Sequence, residues 1–338
     1  MKNVTRDKFD HKINYEFCVA HRNKVEEGTL TGYRWTVKSF LEHIEGEGVD
    51  LENIDWTDID SFIDSMVEEY SQSTTKTRYN HLRSFIKWLR ARKGYYTDSE
   101  QLPIDSRHLE IKEYIDRGET KKGNEASSKE GVVFVEASEY ELLKENVPAP
   151  KFRNELILKM LWHLGLRRME VTEMQITPEM PHKDEYGNID FGDNEITVPD
   201  VKGGGRELWF RDSLAAPLRR WIESERQAVY YADESQYLFP SRNSEQLTPK
   251  RVTSMVDQAA QNAGIQSTVY VDANGNERRR ITPHALRHGY GVRHVRNGTD
   301  VRTLQQLMGH HDISVTQHYL QFKTEARKRA QHRNAPEV

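Results

Sequence analysis

Residues 119–131, ETKKGNEASSKEG, form a stretch without one large apolar side chain. No hydrophobic core can run through such a stretch, because nothing in it gains enough by burial to offset the entropy of ordering it. The chain must therefore fold as separate units on either side, joined by a flexible linker. We place an N-terminal unit at 1–118, the linker at 119–131 and a second unit at 132–338. A length of 338 residues suits two domains.

The first unit reads as helical. Tyr33, Val37, Phe40, Leu41 and Ile44 recur at helical spacing across 29–44. A second helix is predicted to start at Thr57, with Asp60 in the capping-box position, and to bury Ile59, Phe62, Ile63 and Met66. A third, over 74–93, carries the apolar stripe Tyr79, Leu82, Phe85, Ile86 and Leu89. That helix has a second stripe. Lys76, Asn80, Arg83, Lys87 and Arg90 fall on one face, at about 100° per residue, roughly 120° from the apolar one. No acid lies between Thr74 and Thr97. A basic helix face is usually only solvated. Here it sits in an acidic segment, since residues 1–120 hold 18 Lys and Arg against 23 Asp and Glu. Keeping one face free of acids in such a setting points to phosphate contact by Lys76, Arg83, Lys87 and Arg90.

The second unit mixes patterns. Ser138 to Glu141 reads as a capping box, and 151–164 as an apolar helix that Gly165 interrupts. Residues 189–211 alternate like strands, with Glu195–Val201 and Arg206–Phe210 flanking a Lys-Gly-Gly-Gly turn at 202–205. Helical patterns follow at 213–231, 248–263, 283–297, 300–308 and 314–322. The fold class is therefore mainly α with a small antiparallel β-sheet.

Composition removes several function classes. The mean hydropathy is -0.84 and no run of about 18 apolar residues exists, so no membrane span is expected. The opening MKNVTRDKFD has no apolar stretch behind its charges, which argues against a signal peptide. Cys18 is the single cysteine, so there is no internal disulfide and no cysteine-based zinc motif. A reducing, cytoplasmic setting is expected. The net charge of -4 argues against a nucleic-acid partner only on average. Residues 278–333 hold 12 Lys and Arg, 3 Asp and Glu, and 7 of the 14 histidines, and local field is what phosphate feels.

Four segments carry the chemistry. LGLRRMEVTEM puts Arg167 and Arg168 just after Gly165, where arginines beside a buried helix need anionic partners; a salt bridge to Glu170 or Glu173 is the bland reading. VKGGGRE sets Lys202 at a strand end beside three glycines. HALRH places His284 near Arg287 and His288 on one helix face, with Pro283 suited to the first turn. GHHDISVTQHY brings Tyr319 nine residues after His310. His284 and His288 could bind zinc by spacing, but the usual intervening Glu is absent and Arg287 would repel a cation. No G-x-S-x-G and no Walker A loop occurs, so no metal and no cofactor is expected. Together these residues are donors and cations without a strong general base. They suit a phosphodiester whose oxygens gain charge in a pentavalent transition state. Tyrosine can attack to form a covalent intermediate and lysine can protonate the leaving alkoxide.

The ordered set GLRRME (165–170), VKGG (201–204), HALRH (284–288), GHH (309–311) and Tyr319 resembles the tyrosine recombinase, or phage integrase, family. The match covers 132–322, and TGYRWTVKSFLEHIE with TTKTRYNHLRSFIKWLRARKG is similar to that family's helical core-binding domain. The resemblance implies a core-binding domain plus an α+β catalytic domain that recombines double-stranded DNA at specific sites through a 3′-phosphotyrosyl intermediate. It implies that Arg167 and Arg287 clamp the scissile phosphate, that Lys202 protonates the 5′-oxygen, that His284 and His310 hydrogen-bond the phosphate, and that Tyr319 attacks. Glu170 would brace the site and His288 would support it without being catalytic. A tetramer on paired DNA sites is implied; the basic tail from Lys323 is either a solvated end or a short helix that docks on a neighbouring protomer. Met169 and Val201 depart from the family pattern, and Arg206 is the alternative to Lys202. A topoisomerase-like relaxing enzyme and a catalytically inactive DNA-binding regulator are the rival readings.

Overall fold

The structure is a computed structural model that describes residues 4–70, 72–91, 132–176, 184–201, 204–271, 277–324 and 328. The expected linker and most of the basic tail lie outside the described residues. The chain divides into two compact units, the first of residues 1–129 with 272–276 and the second of residues 130–271 and 277–338.

Among the described residues the first unit holds four α-helices: α1 (Lys12–His21), α2 (Glu27–Gly46), α3 (Trp56–Glu69) and α4 (Gln72–Arg90). The apolar stripes read from sequence close on one another. Phe17, Phe40 and Phe85 interlock edge to face, with Phe17 and Phe85 centroids 5.3 Å apart. α3 begins earlier than Thr57. Asp55 is its N-cap, accepting from the Thr57 amide at 2.7 Å, and Asp58 returns the bond to the Asp55 amide at 2.6 Å. α1 was not among the expected helices.

The second unit opens with α5 (Ala137–Glu145), whose capping box is Glu136 and Glu139 rather than Ser138 and Glu141. α6 (Lys151–Leu164) ends where the sequence indicates, at Gly165 in the left-handed conformation. Its apolar residues are buried nearly all round, the pattern of a helix inside a core rather than on a surface. α7 (Arg168–Glu173) follows at once. A four-stranded antiparallel meander comes next: β1 (Glu185–Tyr186), β2 (Ile189–Asp190), β3 (Glu195–Val198) and β4 (Arg206–Trp209). Ile196 opposes Leu208 on its buried face. The strands end sooner than Val201 and Phe210.

α8 (Asp212–Glu223) and a 3₁₀ turn replace the single helix expected over 213–231. α9 (Pro249–Asn262) leads into an unexpected two-stranded ribbon, β5 (Thr268–Val271) and β6 (Glu277–Arg279). α10 (Pro283–Arg296) starts at a Thr282 cap, and α11 (Val301–Met308) at an Asp300 cap. The expected 314–322 helix is α12 (Ile313–Gln317) followed by a 3₁₀ turn over His318–Lys323. No helix among the described residues is long and apolar enough to cross a membrane.

Candidate active site

The site is built on a buried carboxylate. Glu170 lies on the first turn of α7 and has no exposed side-chain surface. It accepts from the Arg167 amide at 2.7 Å, from Arg167 Nη1 at 2.6 Å, and from Arg206 Nη1 and Nη2 at 2.9 and 3.1 Å. Arg287 Nη1 stands 3.8 Å away. Burial pushes the Glu170 carboxyl up, but the Arg206 hydrogen bonds, the Arg206 and Arg287 charges and the Arg167 amide outweigh it, and the group is held below the usual carboxylate range. An ionised buried carboxylate is tolerable only with such partners.

The arginines are fixed by helix ends. Arg287, 1% exposed, donates to the Gly165 carbonyl at 2.6 Å and to the Met308 carbonyl. Arg167 Nη2 donates to the Gly309 carbonyl at 2.8 Å. These carbonyls terminate α6 and α11, where the helix dipole is negative and orphan acceptors need donors. Gly309 has φ +60°, and a Cβ there would come within 2.9 Å of Arg206 Nη1, so only glycine closes α11 against this cluster. Burial and the Arg167 charge pull the Arg287 guanidinium down to about 9, which leaves it cationic at neutral pH. Arg206, the sequence alternative to Lys202, is committed elsewhere: Nε donates to the Leu307 carbonyl at 2.6 Å while the fork holds Glu170. It braces the site.

A cleft of about 610 Å³ opens over Arg167 and Arg287, with His284 exposed in its wall. His284 is held below the ordinary imidazole range by desolvation, then by Arg287, Arg167 and Arg168. Lys202 lies outside the described residues. Its described neighbours border the same region: Val201 lines the cleft, and Gly204 abuts Arg167 Nη1 so closely that a Cβ would sit 2.9 Å from it. Arg168 is exposed and donates to Thr253 Oγ1 at 2.8 Å, so the register that makes Arg167 the inward arginine is the one observed.

His310 follows the α11 terminus and pairs Nδ1 with Thr316 Oγ1 at 2.9 Å. Burial, then the charges of Arg287, Arg167 and Arg206, lower its ring to about 3. Tyr319 is 2% exposed and packs against α10 at Gly291, where a Cβ would meet its ring at 2.8 Å. Its Oη is 2.6 Å from Nδ1 of His288. Burial raises the phenol to about 12, with Arg287 opposing, and burial with the neighbouring His284 and Arg287 charges lowers His288 to about 3. The phenol is then the stronger acid of two neutral groups, so we assign Oη–H as the donor. The family resemblance gives His288 only a supporting place. The signal for it was present, since it follows His284 by one helical turn, and their ring centroids are 4.2 Å apart.

The structure thus gathers Arg167, His284 and Arg287 around one cleft, and sets Tyr319 behind the His284–His288 pair. Lys76, Arg83, Lys87 and Arg90 lie on α4 of the first unit. Lys76, Lys87 and Arg90 are exposed and Arg83 is half-buried, opposite the buried Leu82, Phe85 and Leu89. No group of three or more potential metal ligands occurs among the described residues.

Comparison with known proteins gives a consistent answer. Residues 133–326 match the model of the phage integrase family, and residues 19–93 match the phage integrase N-terminal SAM-like domain. The chain is 25% identical over 315 residues to tyrosine recombinase XerD of Haemophilus influenzae, covering 92% of this chain and 93% of the relative. It is 29% identical over 196 residues to tyrosine recombinase XerA of Pyrococcus furiosus, covering 57% and 58%. Among solved structures it is similar in fold to the Tn1549 transposon integrase in complex with transposon right end DNA, with a TM-score of 0.64 and 17% identity over 96% of this chain and all of that one. It is also similar to XerH recombinase bound to its difH substrate, with a TM-score of 0.61 and 16% identity over 97% and 90%.

Proposed function

The chain belongs to the phage integrase family, the tyrosine recombinases, and on that premise we propose that it cuts and rejoins double-stranded DNA at specific sites through a 3′-phosphotyrosyl link to Tyr319. The observation that carries the reading is the pair of arginines, Arg167 and Arg287, fixed by Glu170 and by helix-end carbonyls at the floor of one cleft. A phosphodiester entering that cleft meets two preorganised forks. Donors that need not reorganise favour the charge that develops on the non-bridging oxygens of the pentavalent transition state.

Tyr319 then brings Oη in line with the leaving oxygen. Its phenol is protonated at neutral pH, so attack requires a base. His288 Nδ1 faces Oη; the negative charge of a bound phosphate restores the basicity that burial and Arg287 suppress there, and His288 then takes the proton as the oxygen–phosphorus bond forms. Arg287 favours the phenolate by charge. His284 and His310, both neutral, donate hydrogen bonds to the phosphate. Lys202 supplies a proton to the 5′-oxygen as its bond to phosphorus breaks; this assignment rests on the family resemblance. The link conserves the phosphodiester energy, so a second 5′-hydroxyl reverses the steps and reseals a strand without ATP. α4 adds phosphate contacts through Lys76, Arg83, Lys87 and Arg90, and four protomers assemble on paired sites.

The test is trapping. Incubation with duplex DNA nicked close to the cleavage position lets the 5′ fragment diffuse away. An SDS-resistant protein–DNA adduct is expected with the wild-type protein. Specific DNA binding with no adduct on any nicked duplex would instead support a catalytically inactive regulator.

A further inference from the structure

The cleft does not stop at the phosphate clamp. It continues past Arg167 and Arg287 to Arg168 of α7, Thr253 of α9 and Arg278 of β6. Five arginines line it, Arg167, Arg168, Arg278, Arg279 and Arg287, against one acid, Glu277. Arg279 holds that acid at 2.8 Å and also stands 3.8 Å from Asp257. One phosphodiester carries a single negative charge, and five arginines on one wall are enough to meet more than one phosphate. A volume of about 610 Å³ is also out of scale with one phosphate; cavities of about 300–1,000 Å³ take whole drug-sized molecules. Thr282 and Pro283, which open α10, line the same cleft, and the positive end of that helix adds to the field.

The outer cations are held in place. Arg168 is drawn to Thr253 Oγ1, which in turn donates to the Pro249 carbonyl at 3.2 Å. Every residue of β6 is exposed, and an isolated two-stranded ribbon is marginal in water. Its base is nonetheless pinned. Gln266 brackets Ile281, donating to its carbonyl and accepting from its amide, each at 2.9 Å. The Arg280 amide bonds the Ser267 carbonyl at 2.9 Å, and its guanidinium pairs with Glu139 of α5. A ribbon whose β6 strand is exposed throughout is thus anchored with Arg278 and Arg279 lining the cleft.

We propose that Arg168 and Arg278 form a second phosphate subsite, which holds a backbone phosphate flanking the one gripped by Arg167 and Arg287. The subsite rests on the DNA-cleaving reading above. It would set the strand's register, so that the scissile phosphate and not its neighbour faces Tyr319.

Equilibrium DNA binding tests it, with Tyr319→Phe protein as the parent so that no cleavage intervenes. On a short mixed-sequence duplex, Arg168→Ala/Arg278→Ala should flatten the log–log salt dependence by about 0.9 for each phosphate no longer neutralised. Arg168→Lys/Arg278→Lys keeps both charges and should retain the slope. On a duplex enriched by this protein from a random pool, an uncharged methylphosphonate is then moved one position at a time. One flanking position should weaken the parent but add nothing to the double alanine variant, the mark of two changes acting on one interaction. An unchanged slope in the alanine variant, or equal methylphosphonate penalties in both proteins at every position, overturns the subsite. Adduct trapping with the wild-type protein separates the two claims. Adduct without coupling rejects the subsite alone, and coupling without adduct rejects the phosphotyrosyl chemistry alone.

Discussion

The two units place their cations in opposite ways. α4 carries Lys76, Lys87 and Arg90 on an exposed face, where a charge keeps its water and is stable without being buried against a counter-charge. The second unit buries Arg287 to 1% exposure and encloses Glu170 completely, where each charge needs a partner at bonding distance. The first arrangement is adaptable and weak. The second is rigid, and rigidity is what a transition state requires, because donors already in place need no reorganisation when charge develops. The difference divides labour: a solvated face suited to holding a polyanion, and a buried cluster suited to reacting with one phosphate of it.

The sharpest test of that division is Tyr319→Phe. It removes one hydroxyl from a packed ring, so the cost to folding is only the net worth of one hydrogen bond to His288, about 0.5–1.5 kcal/mol. Adduct formation should vanish completely while duplex binding persists. Residual adduct in the Phe variant would place the nucleophile elsewhere and dissolve the comparison.

Next in size are the two clamp arginines, which should part company in stability but not in rate. Losing either removes a transition-state donor, a loss of about 10²–10³ in rate. The two losses should not multiply, because both act on one phosphate. Arg287→Ala also strips donors from Gly165 and Met308 and a counter-charge from Glu170, and breaking a buried pair costs about 3–5 kcal/mol. The Arg167 side chain is 31% exposed and Glu170 keeps Arg206, so thermal or urea unfolding should show a much smaller loss. Arg168→Ala should be milder than either in rate. Equal destabilisation by the 167 and 287 variants would contradict the buried-cluster argument.

Acid should also bear on the buried cluster of the second unit. His288 and His310 titrate in the folded protein near 3, against about 6.5 for a free imidazole. The unfolded chain therefore binds protons first. The stability these neutral rings contribute is complete above about pH 6.5 and is lost as the pH falls toward 3. Unfolding followed through the second unit should weaken across that window. His288→Asn/His310→Asn, which cannot take up those protons, should flatten the decline. An unaltered profile would mean that the two rings are not desolvated as the geometry implies.

Surface placement is also what made the first unit legible in sequence. The α4 stripes follow from helical periodicity alone, and the bounds of α6 follow from an apolar run stopped by Gly165. Helix starts were less secure. Asp55 and Asp58 outcompete Thr57 and Asp60 at α3, and Glu136 and Glu139 outcompete Ser138 and Glu141 at α5. In each case two capping pairs lie two residues apart, and only backbone geometry arbitrates. β6 escaped notice because three exposed charged residues show no alternation. Motifs identified Arg167, His284, Arg287, His310 and Tyr319 as candidates and Glu170 as their brace, yet the other supports carried no signal. The Arg206 partner at Leu307 is 101 residues away and the Arg287 partner at Gly165 is 122 away, and both are carbonyls, which carry no side-chain signature. His288 was undervalued because the role it takes depends on where Tyr319 folds back.

The smallest effect expected lies on α4, and it tests the other half of the comparison. Replacing Lys76, Arg83, Lys87 and Arg90 together by alanine leaves the buried stripe of Leu82, Phe85 and Leu89 untouched. Alanine is the best helix former, so the helix should persist and the unfolding midpoint should barely move. If these side chains meet phosphates, each phosphate left without its cation should lower the log–log salt slope of duplex binding by about 0.9, and affinity should fall alike for every sequence tested. The rate of adduct formation at saturating DNA should stay near that of the wild type, because nothing in the buried cluster has changed. A slope equal to that of the wild type would return the stripe to a merely solvated face. A slower reaction at saturation would show instead that the face positions the reacting phosphate, and that the two units are not separate in function.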